Sequence, residues 1–186
     1  MLDITPAEAC DSTEIIALRY AAEDWLAQRG IDQWAPRETP ESVFRQQIDA
    51  GEFFVARLSD RPKIIGALRL IWRDPVIWQE LDTFAGYIHS LVVSRNHTGL
   101  GIGREMLEWA AHSARHAGAD LLRLDCAETN LPLSDYYRRN GFNQVGRREL
   151  HNPQHKVALF ERRLTSSMID TYTRVDRNCR IDRDSF

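Results

Sequence analysis

The feature that most constrains this chain is a run of three glycines at alternate positions, Gly99, Gly101 and Gly103. The segment before them, Tyr87–Val93, has the pattern of a buried strand, and Ile102–Ala117 carries apolar residues at helical spacing. Glycine lets successive backbone N–H groups point the same way, and a helix N-terminus adds about half a positive charge. The segment from about residue 87 to 116 therefore predicts a strand–loop–helix unit with an anion site suited to a pyrophosphate.

Two common nucleotide-binding loops fit this motif poorly. A dinucleotide site has the spacing G-x-G-x-x-G, whereas the spacing here is G-x-G-x-G. Asp125 does end the next predicted strand at a suitable distance, but the chain after it is short for the second half of a dinucleotide domain. A P-loop needs Gly-Lys followed by Ser or Thr, which the sequence lacks. A dinucleotide-dependent oxidoreductase is thus the weaker alternative.

The order of the predicted elements indicates an α/β domain. A short strand at 2–4 precedes helices over 11–30 and 40–50, and the remaining pattern predicts helices at 102–117 and 133–140 and strands at 52–58, 64–72, 87–93, 121–126, 142–147 and 156–162. Along the first helix, apolar residues recur at helical spacing at Ile15, Leu18, Ala22 and Trp25. Hairpin strands followed by a β-α-β-α unit favour a mixed central β-sheet of about six to seven strands, flanked by about four helices.

Composition limits the classes of function. The 186 residues suit one domain, and a net charge of −3 offers no general attraction to nucleic acid or to an anionic membrane. Cys10, Cys126 and Cys179 have the spacing of neither a zinc site nor a disulfide framework, and no signal peptide or 18-residue apolar run is present. We expect a cytoplasmic monomer or homodimer without a metal, with one domain over residues 1–164. The polar tail, 165–186, is expected to be disordered or docked on a partner subunit.

Three motifs follow the glycine loop in a characteristic order. A strand pattern at Leu121–Cys126 is followed by Asn130, and a short helix leads to Tyr137-Arg-Arg-Asn-Gly-Phe. This order resembles the GNAT superfamily of N-acyltransferases, whose motif is a strand, Gln/Arg-x-x-Gly-x-Gly/Ala, a helix, a further strand leading to Asn, and then Tyr-x-x-x-Gly-Phe. The likeness extends from about residue 2 to 164. Each part alone is weak, whereas the combination is specific.

The resemblance implies an acetyl-CoA-dependent N-acetyltransferase, in which the acceptor amine attacks the thioester directly in a ternary complex. It also implies a splayed middle strand, with Tyr137 protonating the leaving thiolate and Asn130 binding the pantetheine arm. Pantetheine would add along the backbone of Leu91, Val92 and Val93. The diphosphate would lie on Thr98, Gly99, Leu100, Gly101, Ile102, Gly103 and Arg104. Thr98 occupies the family's Gln/Arg position without its charge, so backbone amides would contribute most of the phosphate binding.

The general base is predicted from its position on the middle strand. His89 lies two residues before Leu91, and a period of two predicts that Tyr87, His89 and Leu91 share a face. Many relatives carry Glu at the position of His89, and histidine side chains titrate near neutral pH, which suits proton transfer. A structural role for a single strand histidine is the alternative.

The acceptor site is predicted in the connections around this strand. Glu80 and Asp82 are candidates for binding a cationic acceptor, and Trp34 and Trp78 for lining its pocket, with solvated loop acids and core packing as the alternatives. The acceptor would be a small-molecule amine, or a protein N-terminus or lysine. A catalytically inactive acyl-CoA-binding sensor on the same fold is a further alternative, against which the presence of Tyr137 argues.

Overall fold

The computed structural model describes residues 2–79, 83–150 and 156–165. In chain order, the strands are β1 Leu2–Pro6, β2 Phe53–Leu58, β3 Ile64–Ile71, β4 Ala85–Val93, β5 Leu121–Ala127, β6 Asn143–Glu149 and β7 Lys156–Arg163. The helices are α1 Ser12–Ala27, α2 Glu41–Asp49, α3 Ile102–His116 and α4 Leu131–Arg139. The predicted order of elements is confirmed, with boundaries displaced by up to two residues except at the end of α1, which stops at Ala27.

The seven strands form one mixed sheet in the order β1-β2-β3-β4-β5-β7-β6. Only β4 and β5 pair in parallel, because α3 carries the chain back across the sheet between them, and every other described pair is antiparallel. The predicted fold class, a mixed central sheet with helices on both faces, is confirmed. The parallel pair lies at the centre of the sheet, where the glycine loop leaves β4.

Two hydrophobic cores lie on opposite faces of the sheet. The α3–α4 core contains Met106, Leu122 and Phe160, and the α1–α2 core contains Ile15, Phe44 and other buried residues of the first half of the chain. Neighbouring β2 residues alternate between the two cores, as the two-residue period of a strand requires. A smaller cluster around Trp78 covers the far part of the α1–α2 face.

The buried face of α1 differs from the predicted stripe. Its buried positions include Arg19 and Glu23, which are 4% and 0% exposed and whose side chains form an ion pair at 3.0 Å. Leu18 and Trp25, two of the apolar residues at helical spacing, are only half-buried. The apolar spacing predicts the helix correctly, but it does not indicate that Arg19 and Glu23 are buried together on one of its faces.

Some of the residues singled out in the sequence lie outside the part of the chain that the structure describes. The predicted tail, apart from Thr165, lies outside them, as do Glu80 and Asp82. Within the described residues, no helix has the length and apolar character that crossing a membrane requires.

Candidate active site

The centre of the sheet opens where β4 and β5 separate. Their parallel ladder joins four residue pairs and ends at Ile88 and Leu124, although β4 continues to Val93 and β5 to Ala127. On the other side of β4, the register with β3 shifts between Ala67 and Arg69, which gives β4 one extra residue. Ser90 in this bulge has a φ of 50°, in the left-handed region that non-glycine residues rarely adopt. The bulge and the separation of the strands therefore coincide.

The bulge reverses the side-chain alternation of β4. Ile88 and Leu91, three positions apart, both contact the α3–α4 core, whereas Val92 packs in the α1–α2 core. Tyr87 packs against Trp78 on the α1–α2 face. The prediction that Tyr87 and Leu91 share a face with His89 is therefore wrong for Leu91, because the extra residue inverts every position after it.

The glycine loop meets the same opening. Gly99 and Gly101 have φ values of 83° and 78°, so both positions need a residue that tolerates the left-handed region. Gly101 precedes the first turn of α3, whose leading N–H groups have no partner within the helix. At Gly103 a Cβ would lie 2.7 Å from the hydroxyl of Tyr136, so glycine here permits close packing of α3 against α4. The loop thus combines a helix N-terminus with a tight approach of α4.

These elements enclose a cleft of about 630 Å³, which we call the central cleft. The predicted site residues in its wall are Trp34, His89, Leu91, Val93, Thr98, Gly99, Gly101, Ile102, Gly103, Arg104 and Tyr137. Eight more lining residues carry charge or hydrogen-bonding groups but are not among the predicted site residues: Gln33, Ser90, Arg95, His97, Asp125, Tyr136, Arg139 and Asn140. The structure therefore brings together the glycine loop, the separated part of β4 and the predicted acid and base.

Among the predicted site residues that the structure describes, four do not line the central cleft. The side chain of Val92 is buried in the α1–α2 core, and that of Leu100 is 65% exposed to solvent. Trp78 is buried against Tyr87, with the guanidinium of Arg123 4.9 Å from its ring centre. Trp78 is therefore a packing residue in this structure, and the prediction that it lines the acceptor pocket is not supported.

Asn130, the fourth, has its side chain engaged elsewhere. Its Oδ1 accepts a hydrogen bond from the N–H of Leu133, which caps α4, and its Nδ2 donates to Oε1 of Gln33 at 3.2 Å. The same Gln33 oxygen accepts the N–H of Ala127 at 3.1 Å. The structure gives Asn130 a capping role, and its contact with pantetheine stays a prediction.

Tyr137 projects from α4 into the wall of the central cleft. It is 6% exposed, and its ring contacts Phe142 and Phe160 in the α3–α4 core. Burial, with the nearby Cys126 and Asp125, raises the pKa of Tyr137 well above its ordinary value. The phenol is therefore neutral at physiological pH.

His89 lies on the opposite side of the opening, between two carboxylates. Its Nε2 is 3.1 Å from Oδ2 of Asp74, and its Nδ1 is 3.9 Å from Oδ1 of Asp125. Burial opposes ionisation of Asp74, but His89 and the N–H of Ile77 outweigh it and hold the pKa of Asp74 below its ordinary value. Burial raises the pKa of Asp125 to about 6, with His89 opposing the rise and Asp74 adding to it. The described residues contain no cluster of His, Cys, Asp and Glu with metal-binding geometry.

A buried polar network fixes the loop that carries Trp34. The guanidinium of Arg19 lies 3.7 Å from the centre of the Trp34 ring and donates a hydrogen bond to Oγ of Ser90 in the bulge at 3.0 Å. Glu23 accepts the N–H of Arg37 at 2.7 Å, which holds the far end of the loop. The loop, α1 and the bulge are thereby coupled, and one wall of the central cleft is set by this network.

The comparisons with known proteins agree with this geometry. The family model described as Acetyltransferase (GNAT) family matches residues 18–142, so the chain belongs to the GNAT family of acetyltransferases. An uncharacterized N-acetyltransferase of Bacillus subtilis (strain 168), YesJ, is 27% identical over 151 residues, which are 76% of this chain and 81% of that protein.

Two further relatives were found. The crystal structure of a GNAT-family acetyltransferase from Listeria monocytogenes 4b F2365 has a TM-score of 0.73 and 25% identity, and the match covers 88% of this chain and 95% of that one. Streptothricin acetyltransferase of Streptomyces lavendulae is 42% identical over 59 residues, 32% of this chain and 31% of that protein. The resemblance inferred from the glycine loop and the Tyr-x-x-x-Gly-Phe motif is thus confirmed at the level of the family.

Proposed function

We propose that the protein is an N-acetyltransferase that moves an acetyl group from acetyl-CoA to a primary amine by direct attack in a ternary complex. The observation that carries this proposal is the central cleft itself. One continuous cavity joins the glycine loop, the part of β4 that β5 leaves unpaired, and the hydroxyl-bearing ring of Tyr137. A cavity of about 630 Å³ is within the range of small-molecule and cofactor sites.

The loop end of the central cleft suits the phosphates of CoA. The amides at the start of α3 supply hydrogen-bond donors, and Arg95, Arg104 and Arg139 line the same cavity. Thr98 donates its hydroxyl to the carbonyl of Arg95 at 2.9 Å, so it stabilises the loop locally. The charge that the family's Gln/Arg position would give is therefore supplied by neighbouring arginines.

The opening between the strands suits the acyl chain. From His89 to Val93, the β5 side of β4 has no strand partner, so a pantetheine arm can hydrogen-bond there as an added strand would. The thioester would then lie between two groups on opposite faces of the sheet. Tyr137 belongs to the α3–α4 side, and His89 faces Asp74 on the α1–α2 side.

This arrangement gives each group one task. The amine enters from the α1–α2 side, beside His89 and Trp34, and attacks the thioester carbonyl carbon. The neutral phenol of Tyr137, held protonated by burial, donates its proton to the sulfur as the C–S bond breaks. The local match to a streptothricin acetyltransferase supports a small-molecule amine as the acceptor.

A ligand-binding and turnover experiment tests the proposal. Thermal unfolding is measured with acetyl-CoA, CoA and NAD⁺, and release of free thiol from acetyl-CoA is then followed over a panel of alkyl and aryl amines. We expect stabilisation by acetyl-CoA and CoA and thiol release with at least one amine. Stabilisation by NAD⁺ alone would overturn the proposal, and binding of acetyl-CoA without thiol release from any amine would identify a sensor.

A further inference from the structure

Asp125 carries a half-buried carboxylate that faces the central cleft with few partners. It is the first β5 residue after the ladder with β4 ends, it lines the cleft, and its side chain is 17% exposed. None of the described residues donates a hydrogen bond to it, and its nearest ionisable neighbour is His89, whose Nδ1 lies 3.9 Å from Oδ1 of Asp125. A buried carboxylate costs free energy unless a cation or hydrogen-bond donor meets it. The side chain is therefore suited to a cation that enters through the cleft.

His89 is held beside this carboxylate by Asp74. The Oδ1 of Asp74 accepts the N–H of Ile77 at 3.1 Å, which fixes the carboxyl group, and its Oδ2 lies 3.1 Å from Nε2 of His89. A carboxylate beside Nε2 favours a proton on that nitrogen, which leaves Nδ1 as the acceptor atom. That acceptor faces Asp125 across a gap of 3.9 Å.

We propose that Asp125 and His89 jointly receive the ammonium group of the acceptor, so that the site selects amines that are cationic at neutral pH, with Asp74 as a positioning residue. This inference rests on the proposed function and adds a substrate class to it. A single nitrogen can lie at a hydrogen-bond distance of about 2.9 Å from two atoms that are 3.9 Å apart. The separation of Nδ1 of His89 and Oδ1 of Asp125 is therefore compatible with one ammonium nitrogen bound to both atoms.

The protons balance in this arrangement. The bound ammonium gives one proton to Nδ1 of His89, and the resulting imidazolium lies between the carboxylates of Asp74 and Asp125. The neutral amine attacks the carbonyl carbon, the C–N bond forms, and the C–S bond breaks as Tyr137 protonates the sulfur. The second proton of the nitrogen returns to the Tyr137 oxygen through solvent, and His89 releases its proton to solvent. One ammonium and acetyl-CoA thus yield the amide, CoA thiol and one proton.

The surrounding charges favour a cation at this position. Besides His89 and Asp74, the ionisable groups near Asp125 are the neutral thiol of Cys126 and the neutral phenol of Tyr137, both with raised pKa values. Arg69, on the β3 side of Asp74, forms an ion pair with Glu52 at 2.7 Å. Since the pKa of Asp125 is about 6, its carboxylate is ionised at physiological pH, and cation binding weakens as pH falls through that value.

The first test measures binding and does not depend on turnover. Calorimetry on the CoA complex compares benzylamine, which is protonated at neutral pH, with benzyl alcohol, its neutral isostere. We expect wild-type protein to prefer the cation at least tenfold and the Asp125→Asn variant to lose that preference. The matched control is Asp120→Asn, which removes an aspartate that is 78% exposed and paired with Arg115 at the other end of β5. A preference that survives in Asp125→Asn, or that is absent from the wild type, overturns the inference.

The second test measures turnover with benzylamine and with aniline, which is neutral and needs no deprotonation before attack. We expect His89→Gln to lower kcat/KM for benzylamine at least tenfold more than for aniline, with the dissociation constant of acetyl-CoA unchanged. Asp74→Asn should lower kcat for benzylamine with KM nearly unchanged and shift the acid limb of the pH profile. Equal losses on both amines would assign His89 a structural role. Absence of thiol release from every amine would defeat the proposed function, while the calorimetric comparison would still report on Asp125.

Discussion

Replacing Asp125 by Asn should make the protein more stable at neutral pH. An unfolded aspartate titrates near 3.8, whereas burial raises the pKa of Asp125 to about 6 in the folded protein. The folded state therefore binds more protons than the unfolded state between these values, and stability falls as pH rises through that window. At 1.36 kcal/mol for each pH unit, keeping this carboxylate ionised in the fold costs about 3 kcal/mol above pH 7. An amide of the same shape carries no such cost.

The assay is thermal unfolding of wild-type and Asp125→Asn protein across pH 4 to 8 without ligand. The difference in stability should be near zero at pH 4, grow up to about pH 6 and level off above pH 7. For a domain of this size, about 3 kcal/mol corresponds to a rise in Tm of about 6 to 12 °C. Asp120→Asn, exposed at the start of β5, should change Tm by less than about 2 °C at every pH. Equal stability of Asp125→Asn and wild type at pH 8 would refute the reasoning.

Three further predictions concern the acid, the phosphate loop and the core. Tyr137→Phe should lower kcat by about 10- to 100-fold with the affinity for acetyl-CoA unchanged. The loss should shrink towards pH 9, because the leaving thiolate then needs its proton less. Wild-type kcat across pH 6–9 would show that Tyr137 is only a packing residue. Gly101→Asp should weaken CoA binding at least tenfold, about 1.4 kcal/mol by calorimetry. The control Gly101→Asn is equally strained at φ 78° but adds no charge, so it should lose much less affinity for CoA. Equal losses of affinity would attribute the effect to the backbone. Gly86→Ala should destabilise the protein by about 1–3 kcal/mol in urea unfolding, because the new methyl would lie 2.9 Å from Cβ of Ala114. The control Gly146→Ala, whose methyl would lie 3.7 Å from its nearest neighbour, should be close to neutral. Equal effects of the two substitutions would contradict the packing argument.

Local sequence patterns predicted most of the elements and part of the site. The glycine loop is a contiguous motif, so the start of α3 and the positions of Gly99 and Gly101 follow from neighbouring residues alone. Tyr137 was found through its spacing to Gly141 and Phe142, which is also local. Both features depend on short-range geometry that a single sequence records directly.

Features that depend on distant partners were missed. The buried pair of Arg19 and Glu23 looks like the solvated side of a helix until Ser90 and Trp34 are brought against it. The resemblance implies a splayed middle strand, but no glycine marks the bulge at Ser90, so a strict two-residue period places Leu91 on the wrong face of β4.

The sequence indicates Asp125 only as an acid at a suitable distance for the weaker dinucleotide alternative. Its relation to His89 exists because β4 and β5 are parallel neighbours that separate after four residue pairs. The resemblance implies a splayed middle strand near Leu91–Val93, but it does not indicate that Asp125 faces His89 there. The two-residue period of β5 does indicate that Asp125 shares a face with Arg123 rather than with Cys126. That signal becomes useful only after the neighbouring strand is known.

The short ladder between β4 and β5 also has a consequence for the dynamics of the sheet. Four residue pairs join β1–β4 to the remaining strands, fewer than in any other ladder of the described sheet, so we expect the β4–β5 junction to open most readily. Native-state hydrogen exchange should therefore resolve two cooperative units, β1–β4 and β5–β7, that open separately. The amides on either side of the β4–β5 junction should exchange before those inside each unit. A ligand that contacts both β4 and β5 would stabilise this junction against opening. Occupancy of the central cleft should then slow exchange in β6 and β7, which do not line it.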